Sequence, residues 1–125
     1  GFMWALRSIG ILYLLSGLWC ALNPQVASEF LGYMLTNVGL SEFFAVYGGL
    51  QVGLGVAMLI ASIKTEYIEA SLLFASITSL GLLVFRLIAL VRFDASEGIV
   101  AMVILEAVIV IVLGLQYRKS IQYKV

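Results

Sequence analysis

Four apolar stretches dominate this chain, and each is about as long as a bilayer is thick. A spanning helix takes roughly 20 mostly apolar residues at about 1.5 Å per residue. Runs of that kind lie over about 2–22, 42–63, 67–91 and 97–117. Together they fill most of the 125 residues. A soluble domain carries about 25% charged residues, whereas this chain carries 11%, with 63% hydrophobic. One small core cannot hide that much apolar surface from water. The pattern excludes a soluble enzyme, a nucleic-acid-binding domain and a disordered segment. It predicts an all-α fold: one four-transmembrane-helix bundle over 1–125.

The first stretch is long for a signal-peptide core, and no small-residue cleavage site precedes Asn23-Pro24. It therefore reads as a span. Ser41-Glu42, Thr65-Glu66 and Ser96-Glu97 each put a hydroxyl just before an acid. That is the signature of a helix start, where the hydroxyl accepts from free N–H groups and the acid meets the positive dipole end. Asn23-Pro24 opens a further short segment. It carries Val26, Phe30, Tyr33 and Met34 near helical spacing, with Gln25 and Glu29 elsewhere. It reads as an amphipathic helix on the membrane surface, or as a folded-in cover over the bundle mouth.

Arg7, Lys64, Arg118, Lys119 and Lys124 fall at one membrane face. Arg92 stands alone at the other, among Asp94, Glu97, Glu29 and Glu42. The positive-inside rule then puts both termini in the cytoplasm and the short helix outside. The connections after the second and third spans are short, which predicts antiparallel hairpins there.

Charge inside a bilayer is costly and marks candidate function. Two charged residues lie deep, Arg86 and Glu106. From the nearby span ends, their depths are roughly 8 and 14 Å. An arginine is long enough to close that gap, and the two spans share a tight turn. The expectation is an Arg86–Glu106 salt bridge. On the second span, Tyr47 and Gln51 are four residues apart and share a face, and Gln51 lies about level with Glu106. Gly48 and Gly55 border that face. Gly49 and Gly53 form a GxxxG pair on the opposite one, where small residues let helices approach closely. That second face is expected to meet the first span, with its Gly10 and Gly17, or another subunit. The ligand-binding or polar centre is thus Tyr47, Gln51, Arg86 and Glu106. Gly48, Gly49, Gly53 and Gly55 are the helix-packing positions.

Cofactor and metal chemistry is not expected. Histidine is absent and Cys20 is the single cysteine, which excludes His-based metal, haem and triad sites, thiolate clusters and an intrachain disulfide. Three roles fit what is left. The leading one is a helper or subunit of a membrane assembly, as a homo-oligomer or in a larger membrane complex. The alternative is a binder of a lipid, quinone or isoprenoid-like hydrophobic ligand between the second, third and fourth spans. The third is an isomerase-like intramembrane enzyme using Glu106, against which the paired guanidinium works. Nucleic acid is not an expected partner.

The stretch Ala45-Val46-Tyr47-Gly48-Gly49-Leu50-Gln51-Val52-Gly53-Leu54-Gly55 resembles the second span of a bacterial family. So do Phe85-Arg86-Leu87 and Leu105-Glu106-Ala107 in the later spans. The family consists of short four-helix integral membrane proteins catalogued as a domain of unknown function. Its members often carry a basic residue before the Tyr-Gly-Gly element, where this chain has Phe43-Phe44. The resemblance implies a four-span fold in a bacterial inner membrane and groups Tyr47, Gln51, Arg86 and Glu106 together. It implies no reaction or ligand.

Overall fold

The computed structural model describes residues 3–93 and 96–124. Helix α1 spans Met3–Leu22, α2 Pro24–Phe30, α3 Asn37–Phe43, α4 Gln51–Ala61, α5 Thr65–Arg92 and α6 Glu97–Lys124. A π-helical segment, Phe44–Leu50, joins α3 to α4. Its flanking residues Phe43 and Gln51 keep right-handed helical dihedrals, so α3, the π segment and α4 form one rod over Asn37–Ala61. Four helices are long and apolar enough to cross a membrane: Met3–Leu22, Asn37–Ala61, Thr65–Arg92 and Glu97–Gln122. The chain is an all-α four-helix bundle. Phe2, at the expected start of the first span, and Asp94, counted in the charge bias, lie outside the described residues.

The helix starts follow the expected pattern only in part. Ser96 is a true cap: its Oγ accepts from the Ile99 N–H at 3.2 Å and donates to the Leu31 carbonyl at 2.7 Å. The second span begins earlier than Ser41-Glu42. Thr36 caps it, accepting from the Gly39 N–H at 3.2 Å, which leaves Ser41 and Glu42 in the second turn. Thr65 lies just inside α5 and Lys64 takes the cap position without a side-chain bond. Asn23 likewise caps α2 through its backbone only, with Pro24 at the first position as expected.

Spans 1 and 2 pack closely along their length, and so do spans 3 and 4. Span 1 also touches spans 3 and 4. Spans 2 and 3 touch where they leave the short turn 62–64, through Met58, Ala61, Ile68 and Leu72, and are the more loosely packed neighbours. The expected hairpin therefore forms tightly between spans 3 and 4, while the one between spans 2 and 3 opens into a groove.

Two apolar clusters bracket the bundle. Near the termini, Leu6, Ile9, Met58, Leu72, Ile109 and Leu113 bring all four spans together. Arg7 tethers this end, donating from Nε to the buried Ser62 hydroxyl at 3.3 Å. At the opposite end Cys20, Ala27, Leu31 and Phe43 form a second cluster. Helix α2 packs into it at this end of the bundle, folded in as a cover. Its inward face is small: Ala27 and Ser28 are buried, while Val26 and Phe30 remain exposed. At Gly98 the backbone of Phe30 comes so close that a Cβ would collide with its carbonyl oxygen. Gly32, with φ +91°, turns the chain where a Cβ would lie 2.8 Å from that of Ser96. Ser96 thus holds both the start of α6 and the cover. Ser96→Ala is expected to lower stability by about 1–2 kcal/mol, measured by thermal unfolding in a fixed detergent.

Candidate functional site

Between the two apolar clusters lies a polar layer. Its anchor is the Arg86–Glu106 pair, with Nε and Oε1 2.6 Å apart. The structure thus joins the two deep charges across spans 3 and 4, as their depths required. Glu106 is only 4% exposed. Neither of its oxygens accepts a well-aligned hydrogen bond from any described group, so the carboxylate depends on the guanidinium charge. A small cavity of about 30 Å³ borders it, lined also by Tyr13, Ser16 and Gln51. That volume is near the share of one water molecule in the liquid.

Gln51 reaches this layer from span 2. The Ser16 hydroxyl of span 1 donates to its Oε1 at 3.1 Å. Tyr13, one turn from Ser16, shares a hydrogen bond with Ser79 of span 3 at 3.4 Å. Tyr47 interacts with Arg86 and shares a hydrogen bond with Tyr33 at 3.0 Å. Phe43 stacks on Tyr47 with ring centroids 4.6 Å apart, and Tyr33 meets both rings edge-on. Burial, then the bond to Tyr47, pushes the Tyr33 hydroxyl up to about 12, so it stays protonated at neutral pH. The Phe43 ring thus gives Tyr47 an apolar support.

Tyr47 sits in the middle of the π segment. Such segments have wider turns than an α-helix and occur often at functional sites. Tyr47 and Gln51 are therefore not the simple i,i+4 pair that the spacing suggests. Both still face the same cavity. Its volume is about 350 Å³, and its lining includes Tyr13, Tyr47, Gln51, Ser79 and Arg86, with Leu54, Phe74 and Leu82 on its apolar side. A second cavity of about 570 Å³ continues from it toward the termini, sharing Leu54 and Phe74. Ala57, Ala61, Ala70 and Tyr67 line that stretch, which is almost wholly apolar. The two form one groove between spans 2 and 3, polar at one end and greasy along the rest.

The glycines divide differently from expectation. Gly10 of span 1 lies against Gly55, and Gly17 lies against Gly48 and Val52. Gly49 and Gly53 have no neighbour within 4 Å of a would-be Cβ. Span 1 therefore seats on the Gly48–Gly55 face, and the GxxxG face is open. Tyr13, Ser16 and Tyr33 are the site residues that spacing alone did not reveal. For the first two, the available signal was a pair of hydroxyls three residues apart in an apolar span.

Among the described residues, no three His, Cys, Asp or Glu side chains gather to hold a metal ion. No family model, curated protein or solved structure matches this chain.

Proposed function

We propose that this chain is a membrane protein that holds a lipid-like amphiphile in the groove between spans 2 and 3. The observation that carries the reading is the shape and polarity of that groove. Ligand pockets usually have volumes of about 300–1,000 Å³, mostly apolar walls and a few convergent polar groups. Here Arg86, Tyr47 and Gln51 converge at one end, and Leu54, Phe74, Ala57 and Ala61 line the rest. An apolar chain in the trough and a polar head at Arg86 satisfy both ends. The groove lies between spans 2 and 3, with span 4 contributing Glu106 from behind. The charge bias of the span ends supports cytoplasmic termini, and the resemblance of the second span supports a bacterial inner membrane. Arg86 then lies nearer the outer leaflet.

Leu54 borders both cavities and is the place to block the groove. Protein purified in a mild detergent should release one class of amphiphile on solvent extraction, and Leu54→Trp should carry about tenfold less. Equal amounts from both proteins would place the bound lipid elsewhere. A second reading, a subunit of a larger membrane assembly, is favoured by the open Gly49–Gly53 face. Mass measurement on protein solubilised from native membranes tests it, and a lone monomer counts against it.

A further inference from the structure

Resting on the groove as a binding site, we infer that its head-group end selects an uncharged hydrogen-bond acceptor, a carbonyl or ester oxygen, over a phosphate or carboxylate. The first argument is charge. Arg86 is the sole charged side chain among the residues lining the two cavities. Its charge is already matched by Glu106 at 2.6 Å. An anionic head would meet the guanidinium and the carboxylate together, in a medium that screens neither well. The pair leaves a polar but neutral wall.

The second argument is the hydrogen-bond inventory. Most hydroxyl hydrogens and the amide oxygen at the head-group end are committed within the protein. Tyr13 and Ser79 bond each other, and the Gln51 oxygen takes the Ser16 hydroxyl. Thr78 donates its hydroxyl hydrogen back to the carbonyls of Phe74 and Ala75. The donors left for a ligand are N–H groups. Arginine has N–H groups and no acceptor; Arg86 meets Glu106 through Nε, interacts with Tyr47 and lines the cavity. Gln51 retains its amide N–H groups. A neutral oxygen with lone pairs matches that set. The trough beyond it, from Leu54 and Phe74 to Ala61 and Tyr67, takes a long apolar chain.

The charge argument makes a sharp demand on Glu106. Glu106→Gln keeps the side-chain shape but removes the balancing charge, so Arg86 becomes an anion site. Delipidated full-length protein in detergent would be equilibrated with deuterated methyl palmitate, hexadecyl phosphate or hexadecane, re-isolated, and the retained probe counted per chain. Wild type should keep methyl palmitate about tenfold over the other two. Glu106→Gln should reverse the order in favour of hexadecyl phosphate, and Leu54→Trp should keep none. Preference of wild type for hexadecyl phosphate, or equal retention of hexadecane, overturns the head-group assignment while leaving the groove as a binding site. An unchanged preference in folded Glu106→Gln also overturns it. Retention of no probe by wild type above the Leu54→Trp level overturns the binding reading itself. Should Glu106→Gln fail to fold by circular dichroism, the wild-type ranking decides alone.

Discussion

Arg86→Leu and Glu106→Leu will each cost the bundle about 3–5 kcal/mol, and the double replacement will recover most of that loss. The asymmetry follows from where the pair sits. Glu106 is 4% exposed and has no other donor on either oxygen. Removing Arg86 therefore strands a carboxylate among Ile109, Met102 and Leu105, which share its cavity wall. Removing Glu106 strands a guanidinium that keeps only its tyrosine contacts. Two leucines of similar volume leave nothing charged to solvate. A double-mutant cycle on thermal unfolding, in one detergent and at one lipid content, measures the coupling. Single losses below about 1 kcal/mol would mean that water reaches the pair and that the polar layer is not a closed one. The double variant also separates fold from function: it should retain its helices and lose the bound amphiphile.

The extent to which this arrangement is legible in the sequence differs from element to element. The spans follow from apolar run length, because a bilayer imposes that length directly. The Arg86–Glu106 contact follows from depth arithmetic, since two charges near one level on adjoining helices have few other partners. Tyr47 is harder. Its four-residue spacing from Gln51 reads as an α-helical face, yet the backbone there is π-helical. The contacts made there are tertiary: Gly48 lies against Ala21 of span 1, while Tyr47 is held between Phe43 and Tyr33. No local pattern announces a wider turn. Tyr33 was hidden for a related reason. It lies past the end of α2 and joins the site only because the cover folds inward over Phe43 and Leu31. The groove itself is illegible in one dimension, since it exists where spans 2 and 3 fail to close.

The choice between the two glycine faces was within reach. Gly10 and Gly17 are seven residues apart, and so are Gly48 and Gly55. Seven residues make nearly two helical turns, so antiparallel spans can match both pairs at once, Gly10 to Gly55 and Gly17 to Gly48. Gly49 and Gly53, four apart, have no such counterpart on span 1. That difference predicts opposite signs for two similar substitutions. In Gly55→Ala the new Cβ would lie 2.7 Å from the Gly10 carbonyl oxygen and the Leu14 nitrogen. Both are backbone atoms, so no rotamer change relieves the clash and spans 1 and 2 must part, at a cost of about 3 kcal/mol. Gln51 is tied to Ser16 across that seam, so the polar end of the groove shifts as well, and retained amphiphile should fall with the melting temperature. In Gly53→Ala the new methyl meets nothing within 4 Å, and replacing glycine within a helix favours it by about 0.5–1 kcal/mol. Stability should hold or rise, with amphiphile unchanged. Loss of stability in Gly53→Ala would mean that another helix packs against that face in the membrane. The pair of measurements thus reports both on the seam that supports the site and on whether the chain works alone.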